Sequence, residues 1–178
     1  MAPAAVTVRR ARPDDAAAVV ELARAVAAEP EAWLLTRDWR SIADERRYLR
    51  AVRGSPDACV LVAQSAEGRI VGRLSLGRDP HPACAHVAEL GIIVAGGSRR
   101  SGVGTALLVA AEEWARDAGV SKIELHVLTH NAAAIRLYEQ LGYRHEGLRR
   151  RHFARDGELL DAVLMARDLA AARVTSPI

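Results

Sequence analysis

The chain has 178 residues, 50% hydrophobic and 26% charged, which fits one globular domain large enough to bury a core. No apolar run reaches the roughly 18 residues of a membrane span, the opening "MAPAAVTVRRARPDD" has no apolar signal centre, and Cys59 and Cys84 are too few for a disulfide framework, so a cytoplasmic protein without membrane partners is expected. The net charge is +3, but Lys122 is the only lysine, arginines alternate with acids in "RDWRSIADERRYLR", and aromatics make up 4%, so a solvated helix surface is expected there and no nucleic-acid partner.

In chain order, Val6–Arg10 alternates and reads as a short strand. Pro13-Asp14-Asp15 opens a helix expected to run to about Ala28, with Val19, Leu22 and Val26 on one face. A second, polar helix is expected from about Thr36 to Val52. Ala58–Gln64 and Arg69–Leu76 are apolar strands joined by "SAEG", a hairpin signal. In the next loop, His81 and Cys84, with His86 just after, match no usual metal-ligand spacing, and no metal is expected. His86–Val94 is a strand and Gly102–Ala118 a long helix closed by Gly119. In the strand Ser121–Val127, Ile123, Leu125 and Val127 alternate with Lys122, Glu124 and His126.

Asn131 can cap a helix reaching Leu141, closed by Gly142. Two last strands, about Arg144–Phe153 and Glu158–Met165, flank "RDG", whose Asp-Gly is a strong hairpin signal. This order predicts an α/β (α+β) fold: a mixed sheet flanked by helices, with strands 86–94 and 121–127 parallel across a β-α-β unit. Nothing divides the chain, so 1–178 is read as a single domain with its core at about 6–169 and a fraying tail at 170–178.

Residues 94–108, "VAGGSRRSGVGTALL", set two arginines and Gly-x-Gly at the start of the long helix. A helix N-terminus has unpaired N–H groups and partial positive charge, so a phosphate is stabilised there. Gly102 and Gly104 would let the backbone approach such an anion, and Arg99 and Arg100 would add charge at its rim. A Walker-type loop fails for want of Gly-Lys-Ser/Thr. A dinucleotide fingerprint comes closer, since Glu124 follows Gly104 by about 20 residues. Against it, the third glycine is Leu107, the stretch Ala95–Ser101 separates strand from glycines, and Glu124 lies within its strand. From these residues alone, a cradle and an ordinary turn both stand.

The second half of the pattern adds to this. "RRSGVG" resembles the pyrophosphate loop of the GNAT superfamily of acyl-CoA N-acyltransferases, Arg/Gln-x-x-Gly-x-Gly/Ala. "NAAAIRLYEQLGY" at 131–143 resembles that superfamily's next block, Asn, then Tyr seven residues on, then Gly-Tyr/Phe. The two blocks stand in the family's order, and the resemblance runs from about Val6 to Leu169. Two positions depart from it: members often carry Pro at the position of Gly96 and Gly at that of Arg100.

The resemblance implies the GNAT fold, with a mostly antiparallel twisted sheet, and acetyl-CoA as co-substrate. The pantetheine arm would lie beside the fourth strand, bonded to the backbone of Ile92, Ile93 and Val94. Amides of Arg100, Ser101, Gly102, Val103, Gly104 and Thr105, with Arg99 beside them, would hold the pyrophosphate. The Val94 N–H would stabilise an oxyanion, and Asn131 would bond the pantetheine or cap its helix. Tyr138 is at the position of the family's usual proton donor to the leaving thiolate, with core packing as its other reading.

An attacking amine must be neutral, so a base is useful near pH 7. Glu89 in "HVAELGIIV" sits in a strand apolar on both faces, where a carboxylate should lose hydration and become a better base. Its other reading is a structural carboxylate. The block after Gly142 resembles the subgroup acting on amino acids and other small amines, and relatives acting on ribosomal protein N-termini. Arg149–Arg151 and Arg155 would face a substrate carboxylate or an acidic partner, or simply solvent. The expected function is therefore transfer of acetyl from acetyl-CoA to a primary amine, a small molecule such as an amino acid, by direct attack, in a chain that could pair as a homodimer. A non-catalytic acyl-CoA-binding domain is the rival from another class.

Overall fold

The computed structural model describes residues 6–31, 33–34 and 38–169. Its described elements are β1 (Val6–Arg10), α1 (Ala16–Ala27), α2 (Ile42–Arg53), β2 (Ala58–Ser65), β3 (Ile70–Arg78), β4 (Val87–Val94), α3 (Val103–Asp117), β5 (Lys122–Leu128), α4 (Ala132–Gln140), β6 (Arg144–Arg155) and β7 (Glu158–Asp168). The element order is the one expected, and the strands form one sheet ordered β1-β2-β3-β4-β5-β7-β6. Every neighbouring pair is antiparallel except β4 and β5, which the α3 crossover makes parallel. The tail expected to fray, 170–178, lies outside the described residues.

Strand alternation assigns the two faces. Val60 and Val62 of β2 pack against Val19 of α1 and Leu49 and Val52 of α2. Cys59 and Leu61, one residue out of phase, meet Leu74, Leu76 and Leu90 beneath Leu107, Leu108 and Ala111 of α3. Val19, Leu22 and Val26 are buried to 0, 6 and 2% exposure, as their helical spacing predicts. At roughly 1.5–3 kcal/mol for each fully buried aliphatic side chain, these layers hold the sheet rigidly beneath whatever sits on it.

Three expectations need correction. The second helix begins at Ile42, because the Ser41 hydroxyl caps it by accepting from Asp44 N–H at 3.1 Å. Residues 38–41 are not helical, and 35–37 are not described. The charged run there is also not all solvated. Glu45 is fully buried, paired to Arg40 at 3.1 Å and to Arg73 at 3.7 Å, with Trp39 beneath the Arg73 guanidinium. Finally, β6 and β7 run further than expected, because Asp156 (φ 52) and Gly157 (φ 83) form the left-handed tight turn that Asp-Gly favours. Their register breaks between Arg149 and Phe153, where Arg151 bulges at φ 50 and its N–H bonds Asp161 at 2.7 Å.

Among the described residues, no helix is long and apolar enough to cross a membrane. In the β3–β4 loop, His81 Nδ1 accepts from Ala83 N–H at 3.2 Å, a local cap.

Candidate active site

The parallel pair β4–β5 opens partway along its length. Its register runs from Val87–Lys122 to Leu90–Leu125 and stops, though β4 continues to Val94 and β5 to Leu128. On its other side β4 stays paired to β3 as far as Val94. The Val87 carbonyl accepts from Asp79 N–H, and Ala95 N–H donates to the Val71 carbonyl, both at 2.9 Å. Antiparallel alternation therefore turns the odd-numbered amides toward β3 and those of Ile92 and Val94 toward the opening. A strand-like ligand can bond there. Ile93, grouped with them from sequence, offers the opening nothing: its amide serves β3, and its side chain packs on Leu22, Ala23 and Val26.

At the upper end of this opening lies the glycine-rich turn. Gly102 is the N-cap of α3 at φ 87, a backbone that suits glycine. The first bond of the helix runs from Ala106 N–H to the Gly102 carbonyl, so the N–H groups of Val103, Gly104 and Thr105 have no helical acceptor. Thr105 is exposed, whereas the Val103 side chain is fully buried, so Val103 can contribute only its amide. Gly104 has a second reason to lack a side chain, since a Cβ there would stand 2.9 Å from Leu137 Cδ2 on α4. Replacing Gly102 with Val should weaken acetyl-CoA binding at least ten-fold, about 1.4 kcal/mol. The left-handed φ adds roughly 1–2 kcal/mol of instability, so calorimetric affinity is measured well below the variant's melting temperature. Unchanged affinity in the folded variant would refute the cradle.

The two arginines part ways. Arg100 stays exposed at the rim, held at φ 59, a left-handed backbone that favours glycine. Arg99 does not supply free charge. Its guanidinium forms a two-pronged pair with Glu29, at 2.7 and 2.9 Å, and its Nε donates to the Val94 carbonyl at 3.2 Å. That bond takes one lone pair of the Val94 carbonyl, and the Val94 N–H is left for a ligand. Ser101 likewise donates its hydroxyl to the Ser98 carbonyl at 2.7 Å.

At the lower end, an open trough of about 380 Å³ is lined by Ser75, Gly77, Arg78, Glu89, Leu90, Gly91 and His126. Glu89 was expected to lose hydration, but its side chain is 62% exposed. On that face it stands between Gly77 across β3 and Glu124 across β5, with Val87 and Gly91 along β4, and the two glycines leave it uncovered. Among the described residues one side-chain hydrogen bond holds it: Glu89 Oε1 lies 3.2 Å from His126 Nδ1. The Arg78 guanidinium is committed to Asp57 and to the Ala85 and Ala118 carbonyls, which makes it a wall of the trough.

Tyr138 projects from α4 into the core beside Tyr143, ring centroids 5.7 Å apart. It is 5% exposed, and burial pushes its phenol well above the ordinary tyrosine range, so the proton stays on. No described residue hydrogen-bonds its hydroxyl, which leaves the O–H available to a ligand. Asn131 caps α4 by accepting from Ala134 N–H at 3.2 Å, and its amide nitrogen stays available.

Sequence reasoning missed what closes the far side. The stretch after α1 is tied at three points: Glu29 to Arg99, the Glu31 carbonyl to His130 Nε2 at 3.0 Å, and the Leu34 carbonyl to Arg155 at 2.6 Å. Arg155, expected to face a substrate or an acidic partner, is instead 6% exposed and spent on this tie and on the Ala27 carbonyl. Arg149–Arg151 remain exposed on β6.

This geometry has known counterparts. The family description "Acetyltransferase (GNAT) family" matches residues 21–143. An Escherichia coli L-amino acid N-acetyltransferase is 32% identical over 151 residues, 83% of this chain and 90% of that one. A GNAT-family acetyltransferase of Streptococcus pneumoniae superposes with TM-score 0.83 at 28% identity, over 93% of this chain and 99% of that one. A Salmonella typhimurium protein described as an acetyltransferase and solved with its cofactor acetyl-CoA superposes with TM-score 0.85 at 22% identity, covering 98% of each chain. The chain belongs to the GNAT family and is an acetyl-CoA-dependent acetyltransferase.

Proposed function

We propose that this enzyme acetylates the amine of a small molecule, an amino acid being the leading class, by direct attack. The observation that carries this reading is the end of β4–β5 pairing at Leu90 and Leu125, with inward amides above it and a carboxylate-bearing trough below. The residues fit acetyl-CoA: Ile92 and Val94 have free edge groups, and the first turn of α3 has unpaired N–H groups behind Gly102. When bound, the thioester supplies the acetyl group. Glu89, reached from the trough, takes the ammonium proton directly or through water. The Val94 N–H donates toward the oxygen on which negative charge develops. Tyr138 donates its O–H toward the departing sulfur, and Asn131 steadies the arm beside it.

The trough's volume lies at the low end of the roughly 300–1,000 Å³ typical of small-molecule sites, which favours a small acceptor. The similarity to an L-amino acid N-acetyltransferase supports the same class. Its open side favours one further reading, a protein N-terminus such as that of a ribosomal protein. A panel of L-amino acids, polyamines, aminoglycosides and N-terminal peptides, followed by coenzyme A release, separates them. Turnover of free amino acids is expected; turnover of peptides alone selects the second reading, and acetyl-CoA binding without turnover of any amine sinks both.

A further inference from the structure

We propose that His126 is a positioning residue for the base: its imidazole holds the Glu89 carboxylate at the mouth of the β4–β5 opening. This rests on the reading of Glu89 as the base. The backbone placement comes first. Register pairs Glu89 with Glu124 and Leu90 with Leu125, so His126 is the first β5 residue past the point where the strands part. It shares the face of Glu89 and lines the same trough. Of the other side chains beside Glu89 on that face, Ser75, Gly77 and Gly91 are short, Val87 is apolar, and the Arg78 guanidinium is bound to its own partners. Glu124 across the parallel ladder is a carboxylate with no proton to donate, which leaves His126 as the side chain that bonds it.

The chemistry of the contact fixes its direction. An ionised carboxylate only accepts hydrogen bonds, so at 3.2 Å the proton lies on Nδ1 and His126 is the donor. The ring itself is held by packing. His152 stacks on it at 5.7 Å and Phe153 meets it edge-on at 5.8 Å, both from the β6 bulge region, and its side chain is 9% exposed. Its Nε2 is buried and has no hydrogen-bond partner among the described residues. A relay would need an acceptor at that second nitrogen to pass the proton onward. The ring instead offers one directed donor to one carboxylate. An exposed glutamate otherwise samples many rotamers, and a fixed donor selects the one that faces the incoming amine.

The test compares four variants, with the fastest acceptor of the amine panel as substrate. Misplacing a reacting group by about 1 Å costs on the order of 100-fold, so His126→Ala should lower kcat roughly 10- to 100-fold while the acetyl-CoA Kd stays at wild type. His126→Leu fills the same space and is read the same way should the alanine variant fail to fold. His126→Asn is the decisive variant: its amide nitrogen stands where Nδ1 stood, so it should recover kcat to within a few-fold although it cannot titrate. In the double variant Glu89→Gln/His126→Ala, the loss should be no greater than for Glu89→Gln alone, because the two act as one unit. Wild-type kcat in His126→Ala, an asparagine variant as slow as alanine, or multiplied losses in the double variant would each overturn the inference. Glu89→Gln separates this from the base reading. A slow Glu89→Gln with a fast His126→Ala removes only His126, whereas a fast Glu89→Gln removes the base and this inference together.

Discussion

Glu89→Gln is expected to lower kcat/KM at neutral pH by about 10²–10⁴, roughly 3–5 kcal/mol of transition-state stabilisation. Glutamine keeps the shape of the side chain and an oxygen that still accepts from His126, but it takes no proton. Because Glu89 is 62% exposed, the substitution should leave the melting temperature almost unchanged, as surface changes usually alter stability by less than about 0.5 kcal/mol. The pH dependence has a definite sign. At high pH more of the amine arrives neutral and needs no base, so the deficit should shrink as pH rises. A structural carboxylate predicts the reverse pattern: a lower melting temperature and a deficit equal at every pH. Rate profiles for both enzymes, measured alongside thermal melts, decide between them. A stable variant with the wild-type profile takes Glu89 out of the mechanism.

Tyr138→Phe should lower kcat with little change in acetyl-CoA affinity, since the ring and its packing on Tyr143 are kept. Burial raises the phenol far above neutral pH, so it releases its proton reluctantly and serves better as a hydrogen-bond donor to the departing sulfur. That places the loss toward the lower end of roughly 10- to 1,000-fold. The same burial keeps the phenol protonated throughout any ordinary assay range, so the wild-type and Phe enzymes should differ by a constant factor across pH. Equal kcat values would make Tyr138 a packing residue and nothing more. A gap that opens only at alkaline pH would mean that the phenol does titrate, and that the burial argument is wrong.

The sheet was legible because its strands carry period-two alternation and its turns carry strong local signals. Asp156-Gly157 forms the tight turn its composition predicts, and the spacing between Val94 and Ile123 leaves room only for a crossover. The glycine-rich start of α3 was legible as well, since Gly102 has the left-handed backbone its identity suggests. Side-chain commitments were not. A sequence shows that Arg99 and Arg155 are charged, but not that Glu29 and the Leu34 carbonyl, far away in the chain, take up those charges. The hydration of Glu89 was misjudged for a related reason. Apolar neighbours along β4 suggested burial, but exposure on a sheet is set by residues across the ladders, and Gly77 and Glu124 lie there. His126 was read only as one of the three polar positions that alternate with Ile123, Leu125 and Val127 in β5. Its meeting with Glu89 depends on the parallel register, which alternation alone does not supply.

The parting of β4 and β5 also bears on how long the folded chain lasts. Two strands that separate inside a sheet leave an internal edge, with the amides of Ile92 and Val94 lacking the ladder partners they would have elsewhere. With acetyl-CoA laid along that edge as proposed, the co-substrate completes the sheet much as a missing strand would. A ligand that binds only the folded state stabilises it in proportion to the logarithm of its concentration, by about 2.7 kcal/mol at one hundred times Kd. The melting temperature should then rise with acetyl-CoA concentration. Without the co-substrate that margin is absent, and the seam is a stretch of the sheet where ladder bonds are missing.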